Sequence, residues 1–406
     1  MVDRPPPPAG VYSRRTFLKV AGLGTVAVAG GGLVAACASG TSPSPSAGAP
    51  SAGSPSAAGS SPSSAISLAP AGGPFALFTW AGYDGKGVID DWYKKNNVQI
   101  DVKYISNENL VNFMKSPGSD KWDASSVNQG DAEYLYANQV SSKITVAEVP
   151  ALANMLPFFK DGTFWKVEDG VYNSVPWTWG PIGINTRPDK VPADALKSWQ
   201  GLLDAKWKGR IGTYDDALNM ISAGSVATGN DPGKLTTEQL NGPVKDFLVK
   251  LKPQLKVLST SIGDQVNLLI SGDVDIEILG LTWFIPQAKG QGVTIDFRIP
   301  DEGSYGFVDA VFITPWAPHR ANAVAYANAL LTGDTAVTMQ ESVNQLSTNP
   351  DVNAKLKPEV RNLYPEDLGA YSGTTLKWNK SWYESSSGYA TIDEWRKVWD
   401  DVKALA

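Results

Sequence analysis

The groups in this chain that could do chemistry are carboxylates set near large aromatic rings. The chain holds 14 Trp and 14 Tyr but one His and one Cys, so acid–base and thiol chemistry have almost no material. A Ser-His-Asp triad would have to use His319, and no G-x-S-x-G elbow is present. His319 lies in Ala317-Pro318-His319-Arg320, where it reads as a surface cap opening a helix. There is no G-x-x-x-x-G-K-[ST] loop and no dinucleotide fingerprint. Cys37 stands alone, which excludes an intrachain disulfide and thiolate zinc, and the expectation is no metal and no cofactor. A paired-carboxylate glycosidase stays open, because acids are plentiful, but no pattern singles out a pair.

The aromatics fall at predicted strand ends and turns: Trp80 and Tyr83, Trp177 and Trp179, Trp283, and Phe307. In parallel α/β sheets, ligands bind just beyond the carboxyl ends of strands. Trp80 closes the apolar run Phe75–Trp80 and precedes the loop Ala81–Gly85, a position that suits a cleft wall. Trp177 and Trp179 read as core.

The elements that must position these residues alternate. Strands are predicted at Phe75–Trp80, Gln99–Ile105, Gly209–Thr213, Val274–Leu281 and Val293–Ile299. Helices are predicted at Gly87–Asn96, Asn107–Lys115, Asp215–Thr228, Trp283–Lys289, Arg320–Leu331 and Ile392–Leu405, the first with Val88, Ile89, Trp92 and Tyr93 on one side. Such alternation favours parallel sheets with helices on their faces, an α/β fold.

The first residues are of another kind. Ser13-Arg14-Arg15-Thr16-Phe17-Leu18-Lys19 precedes an Ala/Gly/Val-rich run to Ala36. The Arg14-Arg15 pair resembles the twin-arginine export signal, and Val34-Ala35-Ala36-Cys37 resembles a lipobox. Residues 1–36 are expected as a signal peptide and Cys37 as the lipidated residue. Residues 38–74, almost wholly Ser, Ala, Pro and Gly without charge, are expected as a tether. No downstream run is long enough to span a bilayer, so a lipid on Cys37 would hold the protein to the outer face of the cell membrane. Arg4, Arg14, Arg15 and Lys19 against Asp3 give the first 36 residues +3, which leaves −9 on the rest of a chain that totals −6. An acidic body argues against a nucleic-acid partner and weakly for a cationic small ligand.

Several stretches carry a family resemblance. Ser198-Trp199, Leu202-Leu203-Asp204 and Lys206-Trp207-Lys208-Gly209-Arg210-Ile211 resemble a stretch of the extracellular solute-binding proteins. Leu269-Ile270-Ser271-Gly272-Asp273-Val274-Asp275-Ile276 resembles another. Phe78-Thr79-Trp80-Ala81-Gly82-Tyr83, and Pro300-Asp301-Glu302-Gly303 followed by Phe307-Val308-Asp309, resemble the spermidine/putrescine-binding proteins of ABC importers. The resemblance implies a two-lobed, periplasmic-binding-protein-like (type II) α/β fold with crossing hinge strands at Trp179–Asn185 and Val308–Thr314. The first lobe would take 75–183 plus about 310–345, the second 184–309 plus about 346–406.

It also implies a monomeric receptor that does no chemistry, captures a polyamine or related organic cation by lobe closure, and delivers it to a permease. Trp80 and Tyr83 match the aromatics that sandwich the ligand. Asp216 and Asp309 match amine-binding carboxylates, with Phe307 the aromatic beside the second. Asn219 falls where the family has glutamate; Asn128 and Gly130 fall on a pocket loop that has Ser and Tyr there; Trp283 stands near a pocket tryptophan. A receptor for a sugar or other small solute, or a cell-surface carbohydrate-active enzyme, remains the alternative.

Overall fold

The computed structural model describes residues 70–105, 110–380 and 385–405, all within the unit Ser64–Ala406. The expectations resting on Arg14, Arg15, Cys37 and the tether up to residue 69 lie outside the described residues.

Eight strands form the continuous path of an eleven-stranded main sheet: β1 (Gly73–Thr79), β2 (Val98–Tyr104), β3 (Ala124–Asn128), β4 (Val175–Thr186), β5 (Ile211–Tyr214), β6 (Leu255–Ser259), β7 (Ile276–Leu281) and β8 (Ser304–Ile313). Their order is β2-β1-β3-β8-β4-β7-β5-β6. The two wings, β2-β1-β3 and β7-β5-β6, are each internally parallel. The antiparallel pair β8 and β4 joins them. Side-chain pattern follows position. Edge strand β2 alternates, with Lys103 and Tyr104 outermost, whereas all twelve residues of β4 are buried.

The helices used below are α1 (Asp90–Lys95), α2 (Leu110–Met114), α3 (Gln129–Ala137), α4 (Ala217–Ala227), α5 (Ile262–Ser271), α6 (Phe284–Lys289), α7 (Arg320–Ala329), α8 (Gly333–Val343) and α9 (Ile392–Lys403). Helix α1 starts later than its apolar spacing predicts. Gly85 and Gly87 hold φ of +67° and +77°, which keeps that segment in turns, and Val88 is exposed while Ile89 and Tyr93 are buried. Helix α9 follows its sequence closely. Thr391 and Glu394 form a capping box, and Ile392, Trp395, Val398, Trp399 and Val402 are buried at helical spacing. No helix among the described residues is long and apolar enough to cross a membrane.

The crossing strands change cores part-way along. On β4, Val175, Trp177 and Trp179 belong to one apolar cluster, with Phe75 and Leu77; Ile182 and Ile184 belong to another, with Ile211 and Ile276. On β8 the change falls between Tyr305 and Val308. Each lobe thus has its own core, and the fold is the expected two-lobed α/β type. At the change the strands approach closely: a Cβ on Gly306 would lie 2.9 Å from the Trp378 ring and 3.0 Å from the Gly180 carbonyl oxygen, so only glycine fits. The stretch from Leu346 to Trp378, expected in the second lobe, packs in the first cluster. Its short strands Leu346–Ser347 and Leu376–Trp378 pair with β4 and β8, and the chain rejoins the second cluster at Ala390 and α9.

Candidate functional site

Asp309 sits in mid-β8, opposite Thr178 of β4 and Asn128 of β3. The register shifts between Asp309 and Ala310, which makes Trp177 an extra residue on β4. Such a bulge re-aims its side chain, and the Trp177 ring lies edge-on to Tyr83 at 5.0 Å. Tyr83, in the loop after β1, donates its hydroxyl hydrogen to Asp309 Oδ2 at 2.7 Å. Asn128 ends β3, caps α3 through Gly130 N–H, and donates Nδ2–H to Asp309 Oδ1 at 3.0 Å. Tyr83 is itself held: its hydroxyl lies 3.4 Å from Gln345 Oε1, its ring 5.8 Å from Trp80, and its carbonyl accepts the Tyr326 hydroxyl at 2.5 Å. Thr178 fixes Gln345 in turn, donating to Oε1 at 2.8 Å.

Asp309 is 8% exposed, and no lysine or arginine pairs with it among the described residues. Burial pushes its carboxyl up to about 6, and the bonds from Tyr83 and Asn128 partly offset this. Burial, then the neighbouring Asp309, raises the Tyr83 phenol well above its ordinary value, so it stays a donor.

Asp216 follows β5 and caps α4. Its Oδ1 accepts both the backbone N–H of Asn219 at 2.8 Å and Asn219 Nδ2–H at 3.0 Å. Burial raises its carboxyl. Adjacent Asp215 faces elsewhere, accepting Trp399 Nε1–H at 2.8 Å and pairing with Lys403 at 3.0 Å. The start of α4 rests on β8, because Tyr305 donates its hydroxyl to the Asn219 carbonyl at 3.0 Å. A second link runs from Ser222 of α4 to Asn379 (3.3 Å), to Gln129 (2.9 Å), and from Gln129 Oε1 to the N–H of Val308 (2.7 Å).

The structure therefore brings Trp80, Tyr83, Asn128 and Asp309 into direct contact, and ties Asp216 and Asn219 to the same strand. Phe307 is the one residue of β8 that is not buried, and its ring would lie 3.1 Å from a Cβ on Gly180. Trp283 is half-buried before α6, edge-on to Phe284 at 4.7 Å, and packs, like Phe307, against the second apolar cluster. Trp177 and Trp179 are fully buried, as their patterning suggests, though Trp177 also backs Tyr83. His319 stands at the N-cap position of α7, as expected, but its side chain makes no cap bond. Its N–H and Nδ1 meet the fully buried Asp123, at 2.5 and 3.1 Å, and Asp123 also accepts the Ala76 N–H. Thr178, Gln345, Gln129, Asn379 and Tyr305 were not legible as site residues. Their partners lie 86 to 250 positions away in sequence, which leaves no local pattern.

Comparison with known proteins gives consistent matches. The spermidine/putrescine-binding periplasmic protein of Escherichia coli K12 is 23% identical over 326 residues, 78% of this chain and 88% of that protein. The spermidine/putrescine ABC transporter substrate-binding protein PotD of Streptococcus pneumoniae superimposes with a TM-score of 0.67 at 18% identity, over 81% of this chain and 98% of that one. The Tp0655 (TpPotD) lipoprotein of Treponema pallidum gives 0.65 at 20% identity, over 81% and 99%. The model of the bacterial extracellular solute-binding protein family matches residues 87–363, and the chain belongs to that family.

Proposed function

We propose that this chain is the receptor of an ABC importer and captures an organic cation, of the kind its relatives are named for, between its lobes. One observation carries the reading. Asp309 is a buried carboxylate with neutral donors on both oxygens, aromatic rings behind the donor, and no basic partner among the described residues. An unpaired buried charge is costly, and a ligand ammonium would relieve that cost. The ammonium would lie against Trp80 and Tyr83, each cation–π contact worth about 0.5–2 kcal/mol. Asn128, Asp216, Asn219, Trp283 and Phe307 complete the proposed lining.

Closure would pivot where β4 and β8 change cores, with the first lobe comprising about 75–180 and 308–378 and the second about 181–307 and 390–405. The protein would bind without chemistry and act as a monomer. Export by the Arg14-Arg15 signal and a lipid on Cys37 would keep it near its permease, at high effective concentration.

The test is thermal. Residues 70–406 are melted with putrescine, spermidine, glycine betaine and a panel of sugars. A ligand at 100 times its Kd adds about 2.7 kcal/mol of stability. An amine should raise the melting temperature; a sugar that does so while every amine fails selects the sugar receptor instead.

A further inference from the structure

We infer that Gln345 is a positioning residue for Asp309: its amide nitrogen faces Thr178 and Tyr83 and starts a one-way chain of donors that ends on the Asp309 carboxylate. This rests on the reading of Asp309 as the seat of a cation, and it names the residue that helps keep that seat charged.

The inference comes from counting hydrogens. The structure places two amide oxygens against the Thr178 hydroxyl, Gln345 Oε1 at 2.8 Å and Gln340 Oε1 at 3.0 Å. A hydroxyl has one hydrogen to give. Gln340 cannot be turned, because its Nε2–H donates to the Trp177 carbonyl at 2.9 Å, and a carbonyl only accepts. The Thr178 hydrogen therefore goes to Gln340, and the Gln345 atom at 2.8 Å must itself donate. Tyr83 makes the same demand independently. Its hydrogen is spent on Asp309 Oδ2 at 2.7 Å, yet the same Gln345 atom lies 3.4 Å from its hydroxyl. The two ends of a glutamine amide are told apart by the hydrogen bonds around them. Exchanging them satisfies both contacts: the nitrogen has one hydrogen for Thr178 Oγ1 and one for Tyr83 Oη.

The fold holds the amide there. Helix α8 ends at Val343, Asn344 turns the chain with φ of +53°, and Leu346–Ser347 pairs with β4 at Trp179 and Thr178. Gln340 and Gln345 thus both reach Thr178, and all three are buried. The donors then run in one direction, from Gln345 to Tyr83 and from Tyr83 to Asp309. Each donation in a buried chain strengthens the next, and bonds to an ionised carboxylate favour that form. Of the other groups nearby, burial holds the Tyr83 and Tyr364 phenols above their ordinary range, and Glu341 of α8 pairs with Lys357. Asp309 is the member of the network that titrates near neutral pH.

The experiment is nuclear magnetic resonance on unliganded residues 70–406. It follows the Gln345 side-chain amide, identified by its loss in Gln345→Met, and the Asp309 carboxyl, identified by its loss in Asp309→Asn. In the native protein the Gln345 amide hydrogens should exchange with water at least about tenfold more slowly than those of exposed glutamines. Exchange as fast as theirs overturns the inference. Gln345→Met keeps the length and removes the donor, and should move the Asp309 midpoint upward by at least about half a pH unit. Thr178→Val, which releases the amide, should move it in the same direction, and Thr178→Ser should leave it at the native value. A residue that only packs would leave the midpoint unmoved in Gln345→Met and Thr178→Val alike, and that result also overturns the inference. If Gln345→Met does not fold, the native exchange rates and the two Thr178 variants decide. Calorimetry of the native protein with putrescine and spermidine separates the two readings: the expected exchange and midpoints without binding of either amine would retire the receptor for these cations and leave the donor chain standing.

Discussion

Two of the buried acids among the described residues, Asp309 and Glu277, are not alike. Asp309, on the crossing strand β8, has a donor on each carboxylate oxygen and keeps a small exposure. Glu277, on β7 in the second lobe, is fully buried. Its Oε2 accepts Gln265 Nε2–H at 3.1 Å, while Oε1 has no partner and lies over Gly212, where a Cβ would be 2.1 Å away. Donors prepare Asp309 to carry charge when a cation arrives. Glu277 has no such preparation, and burial pushes its carboxyl well above the ordinary range. Burial alone makes a neutral acid; burial with donors aimed from two separate elements, the loop after β1 and the end of β3, is what the proposed receptor for charge rests on.

The contrast can be broken or sharpened by experiment, beginning with the largest effect. Asp309→Asn should cost at least about 3 kcal/mol of amine binding while leaving the melting temperature of the unliganded protein unchanged or higher, since a buried charge is removed. Calorimetry beside a melt checks both; undiminished affinity removes Asp309 from the site. Next comes Glu277→Gln. The folded carboxyl of Glu277 lies above its unfolded value, so its stabilising share is complete below the unfolded value and is lost as pH rises toward the folded one. The native protein should therefore lose stability with rising pH, by about 1.4 kcal/mol per unit across that window, and the variant should flatten the slope. Denaturant melts at pH 5 and pH 8 give the answer, and equal slopes would make Glu277 an ordinary carboxylate.

Tyr83→Phe keeps the ring against Trp177 but removes the donor to Asp309. A loss of about 1.5 kcal/mol in amine binding is expected, with the Asp309 titration moving upward. Smallest is the pH response of the native site. With the free carboxyl at about 6, amine affinity should be flat above pH 7 and fall about tenfold by pH 5, because protonated Asp309 cannot pair with a cation. Asp309→Asn should abolish that fall.

How much of this could be read in advance depended on range. The two wings were legible because period-two alternation and apolar runs are local signals, as was the capping box of Thr391 and Glu394. The crossing strands and Asp309 came through the family resemblance, helped by the oddity of an aspartate in an apolar run. Tyr83 and Asn128 came the same way, but their bonds to Asp309, and Gln345 altogether, were out of reach: the three stand 226, 181 and 36 positions from Asp309, on loops and strand ends whose meeting is decided by sheet order. Glu277 shows the same limit from the other side. In Val274-Asp275-Ile276-Glu277-Ile278 it looks like the wet face of a strand, but α5 covers that face through Gln265.

The exchange of cores along β4 and β8 has a mechanical side. Two strands bonded edge to edge, both changing allegiance at the level of Gly180 and Gly306, form a ribbon that flexes easily across its thickness and resists shear in its plane. A body hung on such a ribbon has one soft coordinate. Whatever occupies the cleft would then be reported to the outside as a single angle, and a partner that measures that angle need never touch the cargo.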